Sequence, residues 1–204
     1  MQVRLPTEER QADIVAAALR LARERSPPLI TTAEIASAVG VSQGAVFKHF
    51  PTKDAIWLAA MVWVREQLLM ALDAAAGAAA SPLAALDAVF NAHVDFVVAH
   101  PGVPRIIFHE LQKPPDSPVK QEVRSLLQSY RKLLLRLLDD GVRQGELRAD
   151  LDPNAAATVF VGIVQGLIMQ NMAAGKTSAV KAPADGAFAI YLCGVAKPNP
   201  HDRV

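Results

Sequence analysis

The chain has 204 residues, 51% hydrophobic and only 5% aromatic, with one cysteine and a formal net charge of +1. So much apolar material excludes a chain disordered throughout, the dominance of alanine and leucine leans towards helix, and the near-neutral balance excludes a global field that gathers polyanions, so any nucleic-acid contact must be a local patch. The lone Cys193 excludes an intrachain disulfide, and no continuous apolar run follows a basic start in the first thirty residues, so a cytoplasmic protein without a secretory signal is expected.

Proline, glycine and capping residues punctuate the chain. Thr7 caps a first helix, with Glu8 and Glu9 in its first turn and an apolar stripe of Ile14, Ala17, Ala18, Leu21 and Ala22, ending at Ser26-Pro27-Pro28. Thr31 with Glu34 three residues on reads as a capping box for a short second helix, Thr32 to Val39, that stops at Gly40. Ser42 caps a third, reaching about Phe50. Pro51-Thr52 breaks it, and Thr52 caps a long fourth helix to about Ala76. Ser81-Pro82 opens a fifth, closed by His100-Pro101-Gly102. A sixth spans about Val103 to Gln112 and a seventh about Val119 to Gln144. Asp152-Pro153 opens the eighth, which ends before Gly175, and Pro183 opens a ninth that fades near Gly194. No segment alternates as a strand would. The fold class is all-α, with nine helices.

The second and third helices, joined by a tight turn at Gly40, have the layout of a helix-turn-helix. A wheel of about 100° per residue puts Val46 and Phe50 of the third helix on its buried side. Gly44, Ala45 and Lys48 then face outward, with Phe47 and His49 on the flanks. Gly44 is costly here, because glycine inside a helix loses roughly 1 kcal/mol against alanine. Small residues at the start of a recognition helix, however, allow the backbone to approach base edges in the major groove. Thr31 and Thr32 can offer hydroxyls and first-turn N–H groups to a phosphate. Lys53 lies in the first turn of the fourth helix, where an acidic residue suits the dipole better, so it is expected to meet an anion, a DNA phosphate.

The stretch Thr31 to Ala60, TTAEIASAVGVSQGAVFKHFPTKDAIWLAA, resembles the DNA-binding segment of the tetracycline-repressor (TetR) family of bacterial regulators. Ile35-Ala36, Gly40-Val41-Ser42, Gly44, the aromatic at 47, His49-Phe50 and Lys53-Asp54 carry the resemblance. It implies a homodimer whose third helices enter successive major grooves of double-stranded operator DNA. It further implies base contacts from Gln43, Gly44, Ala45 and Lys48, and phosphate contacts from Thr32, Phe47, His49 and Lys53, with Thr31 and the cap residue Ser42 counted in the same interface. The family usually has tyrosine where this chain has Phe47, whose ring has no hydroxyl for a phosphate and offers only apolar contact to a sugar or a thymine methyl.

The domain organisation expected is a helix-turn-helix domain over residues 1–53, a connecting fourth helix over 53–76, a ligand-binding and dimerisation bundle over 77–197, and a loose tail over 198–204. Residues that combine bulk with a polar atom or a broad apolar surface are the pocket candidates: Phe90, His93, Phe96, Phe108, Tyr130, Gln165 and Met169, suited to an apolar effector held by a few hydrogen bonds. The eighth helix is apolar nearly all round and long enough to raise a membrane question. Gln165, Gln170 and Asn171 argue against a span, and such a helix must be covered on every face. In the family the last two helices pair with those of a second subunit, so Val159, Ile163, Gly166, Leu167, Gln170, Phe188, Ile190 and Leu192 are assigned to a dimer interface. His93 and His100 are seven apart and His109 and Glu110 are consecutive, spacings that do not converge on a metal. HExxH, GxSxG and phosphate-loop motifs are absent from the sequence. The reading is a ligand-responsive transcriptional regulator, a repressor released when effector binding moves the fourth helix, and no enzyme, with no catalytic residue, metal or cofactor.

Overall fold

The computed structural model describes residues 7–175 and 181–198. Among them are nine α-helices: α1 (Thr7–Leu21), α2 (Thr32–Val39), α3 (Gln43–His49), α4 (Lys53–Ala78), α5 (Pro82–Ala99), α6 (Val103–Leu111), α7 (Pro118–Arg143), α8 (Pro153–Ala173) and α9 (Lys181–Val195). A single 3-10 turn, Pro27–Leu29, lies where the sequence suggested only a break. Helix α9 starts ahead of Pro183, because a proline within the first turn forfeits no helical hydrogen bond. The tail expected from residue 198 lies, from residue 199 on, outside the described residues.

The chain forms two compact units, divided differently from the expected domains. The first takes the chain up to Gln67 together with His100–Leu126; the second takes Leu68–Ala99 and the chain from Leu127 onward. Thus α6 and the start of α7 belong with the helix-turn-helix, and α4 and α7 each contribute to both units.

In the first unit, Ile14, Ala17 and Ala18 of α1 meet Ile35 and Ala36 of α2 and Val46 of α3 in a fully enclosed core. The stripe at helical spacing dictates this, since it is the face that cannot be left in water. Gly40 ends α2 with φ 75°, the left-handed backbone that an alanine would occupy only at a cost of roughly 1–2 kcal/mol. Gly102, at the start of α6, sits against the end of α1: a Cβ there would lie 2.5 Å from the Leu19 carbonyl oxygen and 2.9 Å from the Arg23 nitrogen. Arg105 Nε donates to the Arg23 carbonyl beside it (3.3 Å). Glu110 is completely enclosed, with its carboxylate against Lys113 Nζ (2.8 Å) and accepting from Ser117 Oγ (3.3 Å).

In the second unit, α5, α8 and α9 pack together. Their core is a cluster of rings: Phe90 stacks on Phe188 (centroids 3.9 Å apart), Phe188 stacks on Tyr191 (5.3 Å), and Phe160 meets all three edge-on. The chain past α9 is pinned by backbone bonds from Arg148 N to Val195 O (3.1 Å) and from Lys197 N to Glu146 O (2.9 Å). Glu146 Oε2 also accepts from Leu83 N at 2.9 Å, so a carboxylate distant in sequence caps α5 where its free N–H groups favour an anion. By length and composition alone α4, α5 and α8 could cross a membrane.

Candidate nucleic-acid interface

The short α3 is held by its ends. Ser42 Oγ accepts from Ala45 N at 3.2 Å, and the buried Val46 and Phe50 anchor the helix inward. Gln43, Gly44, Phe47 and Lys48 are exposed, whereas Ala45 and His49 are half-buried. Ala45, half-buried next to the inward Val46, therefore contributes less to the outer surface than the wheel suggested. Phe47 keeps 44% of its surface exposed, a large apolar ring that nothing among the described residues covers.

Gly44 settles its own question of packing. The nearest atom to a Cβ built on it is Ser42 Oγ at 4.0 Å, so a side chain would extend into open space. Among the described residues no neighbour needs the glycine, and its backbone is helical, so conformation does not need it either.

The groups meant for phosphates are differently placed. Lys53 Nζ donates to three carbonyls, those of Pro27 and Pro28 at 3.3 Å and of Ile30 at 3.0 Å. The ammonium expected to be free for an anion thus closes the 3-10 turn ahead of α2, where carbonyls converge on a cation. Thr31 is similarly engaged: its N–H and hydroxyl both donate to Glu34 Oε2 (2.7 and 2.8 Å), and Glu34 N donates back to Thr31 Oγ1. Those bonds from Thr31, with Arg25 Nη1 donating at 2.6 Å, hold the Glu34 carboxyl down at about 2. Thr32, half-buried at the start of α2, accepts at Oγ1 from Gln43 Nε2 at 2.6 Å. The polar surface left facing solvent on α3 is accordingly Gln43, the bare backbone at Gly44 and the Lys48 ammonium.

The second unit brings together part of the expected pocket. Phe90 and Tyr130 are buried in the ring cluster, and Tyr130 OH lies 3.2 Å from His93 Nδ1. Burial pushes the His93 imidazole down to about 4, so it is neutral near pH 7. Tyr191 OH is enclosed and has no hydrogen-bond partner among the described residues. A cavity of about 300 Å³ opens beside this cluster, lined by Asp87, Phe90, Asn91, Asp185, Phe188 and Leu192 among others. Asp87, Asn91 and Asp185 lack the bulk by which pocket candidates are chosen, and only the packing of α5 on α9 brings them forward; Tyr191 joins bulk to a hydroxyl as Tyr130 does, so that signal could have found it. Phe96 is buried in α5, and Phe108 belongs to the first unit.

Other residues fall elsewhere than expected. Gln165 and Met169 point outward on α8, Met169 with 59% exposure, and do not line the pocket. Leu167 and Phe188, assigned to a dimer interface, are buried within their own chain at 7% and 2% exposure. The reason is register: α8 turns Ala157, Phe160, Val164 and Leu167 inward, and a helix apolar all round does not advertise which face that will be. Val159, Gln170 and Ile190 are exposed, Val159 at 52% and Ile190 at 77%, and Ile163, Gly166 and Leu192 are half-buried. A Cβ at Gly162 or Gly166 would meet nothing within 4 Å.

Residues 14–60 match the family model of bacterial regulatory proteins, tetR family, and residues 110–185 match that of the tetracyclin repressor-like C-terminal domain. A nucleoid occlusion factor SlmA of Haemophilus ducreyi is 26% identical over 165 residues, covering 80% of this chain and 81% of its own. A transcriptional regulator of the TetR family from Agrobacterium tumefaciens superposes with a TM-score of 0.81 at 22% identity, over 94% of this chain and all of the other. The regulator FadR from Bacillus subtilis, solved in complex with stearoyl-CoA, superposes at 0.76 with 18% identity over 90% and 98% of the two chains. At these identities the superpositions speak for the fold.

Proposed function

Because the chain belongs to the tetracycline-repressor family of bacterial transcriptional regulators, we propose that it binds a specific operator through α3, as a cytoplasmic homodimer, and leaves it when a small, largely apolar effector binds. The observation that carries the DNA reading is Gly44. It costs helix stability and nothing among the described residues needs it, so the space it leaves is for a partner that comes to the backbone. Gln43 and Lys48 beside it supply hydrogen-bonding and charge suited to base edges and phosphates. Phe47 adds apolar contact, and Ser42, Ala45 and His49 frame the face.

Thr31 and Lys53 move from the phosphate list to the support of that face, because their donors already have acceptors within the chain. For the effector, the neutral His93–Tyr130 pair, the Tyr191 hydroxyl and the Phe90 and Phe188 rings support a largely apolar molecule with a hydrogen-bonding group, and Asp87 and Asp185 on the cavity wall disfavour a negative charge beside them. The complex of FadR with stearoyl-CoA supports room for a long apolar chain on a similar fold. For the dimer, the exposed apolar residues Val159 and Ile190 and the open glycines of α8 support close approach by the same face of a second copy.

The test is selection of duplex DNA from a random library, followed by binding measured across salt concentrations. One symmetric sequence should emerge, with two half-sites about one helical turn apart, and the logarithm of its affinity should fall linearly with the logarithm of salt. Binding without sequence preference at low salt would sink the reading. Selected sites that are scattered along a chromosome and absent from promoters would favour the role named for the Haemophilus ducreyi relative.

A further inference from the structure

We propose that Thr32 is a positioning residue for Gln43, and that the pair acts as one unit reading an A·T base pair. The inference rests on the DNA-binding reading above and gives Thr32 a different part from the phosphate contact expected of it.

Thr32 is the first residue of α2 and Gln43 the first of α3, eleven positions apart and joined by the 2.6 Å bond from Gln43 Nε2 to Thr32 Oγ1. The support of that bond is itself fixed. Thr31, next to Thr32, is locked to Glu34 through both its N–H and its hydroxyl, and Glu34 is held by Arg25. The turn between the helices is set by Gly40 in its left-handed conformation. A glutamine at the exposed start of a helix ordinarily samples many rotamers, and ordering it costs part of any contact it makes. Here the hydroxyl holds one of the amide hydrogens before DNA arrives.

With the hydroxyl taking the amide hydrogen anti to Oε1, as the assignment requires, what remains free on Gln43 is the other N–H and the Oε1 carbonyl, a donor and an acceptor side by side. Adenine presents the matching pair in the major groove, N7 as acceptor and the N6 amino group as donor. Guanine presents two acceptors, N7 and O6, and would set O6 against Oε1. Cytosine offers a donor alone and thymine an acceptor with a methyl group. Open space at Gly44 allows the helix start to come close enough for such a two-point contact.

The experiment uses the operator selected by the full-length protein and duplexes carrying each single base-pair change, with binding read by fluorescence anisotropy. Replacing one A·T pair in each half-site should weaken wild-type binding about tenfold or more. Gln43→Ala and Thr32→Val should each remove most of that penalty at the same pair and leave the other positions unchanged, and combining them should add little. Thr32→Ser, which keeps the hydroxyl, should behave as wild type. Thr32→Ala repeats the measurement should valine disturb the start of α2, with helix content followed by circular dichroism. Two results overturn the assignment: a Thr32→Val protein that keeps the full penalty at the A·T pair, or one that loses affinity equally for every duplex with its salt dependence unchanged, the signature of a lost phosphate hydrogen bond from a neutral hydroxyl. A wild-type protein that selects no sequence overturns both this assignment and the reading beneath it.

Discussion

The outer faces of α3 and α8 both carry glycines that nothing among the described residues needs, and they differ in everything around those glycines. A Cβ on Gly44, Gly162 or Gly166 would find open space, whereas one on Gly102 or Gly141 would strike the Leu19 carbonyl or the Leu147 side chain. The second kind is explained by packing inside the chain. The first kind leaves room for something outside it, and the neighbours say what. Beside Gly44 stand Gln43 and Lys48, groups that hydrogen-bond or neutralise charge. Beside Gly162 and Gly166 stand Val159, Ile163 and Met169, which gain by leaving water. Similar vacancies thus suit a polyanion in the first unit and a second copy of the chain in the second.

The largest expected effect strikes the apolar side of this comparison. Val159→Asp with Ile190→Asp would place unpaired carboxylates on the face proposed to receive a second copy, a cost of several kcal/mol if it packs there. Sedimentation should show a monomer that remains helical, and operator affinity should drop at least about 100-fold, because two half-sites are no longer held by one particle. If a dimer persists, the α8 and α9 faces are not its interface.

The core beneath that face should respond to acid. His93 is neutral when folded and titrates down at about 4, against 6.5 when exposed, so between those values the unfolded chain binds the extra proton. Stability is present in full above about pH 6.5 and is lost as pH falls towards 4, at up to about 1.4 kcal/mol per pH unit. His93→Phe should flatten that slope in urea titrations run at several pH values; an unchanged slope would show that another group governs it.

On the polar side, Lys53→Met removes the cation from three carbonyls. Discounted for its partial exposure, the loss should be about 1–2 kcal/mol of stability, seen as a lower thermal midpoint, with the salt dependence of DNA binding unchanged. A shallower salt dependence would restore Lys53 to the phosphates. The smallest effect on stability is the most telling for function: Gly44→Ala should stabilise the protein by up to about 1 kcal/mol while weakening operator binding about tenfold or more. A variant both stabler and equally tight on DNA would remove the reason offered for the glycine.

Much of the fold was legible because it rests on local chemistry. The capping box of Thr31 and Glu34, the Ser42 cap, the left-handed Gly40 and the inward pair Val46 and Phe50 lie where residue type and spacing put them. The stripe of α1 likewise faces inward as its period requires. Less was legible where several neighbours compete for one group. Lys53 looked like a free cation because the residues it serves, Pro27, Pro28 and Ile30, lie more than twenty positions earlier in the chain. Nothing in the residues around Leu83 announced that Glu146 would cap α5. On α8 the difficulty was different: with apolar residues on every face, periodicity carried no direction, so Leu167 and Gln165 were assigned to opposite sides from those they occupy.

By itself, then, the sequence determined the helices, their ends and the turn that presents α3, since capping, glycine conformation and apolar period act within a few residues. Tertiary structure alone decided which polar groups remain available, tying Lys53 and Thr31 into the chain, joining Thr32 to Gln43, and leaving Gly44 open to solvent. The physical reason is that a hydrogen bond is spent on whichever partner folding brings within about 3 Å, and that partner is set by the whole packing and not by the neighbours along the chain.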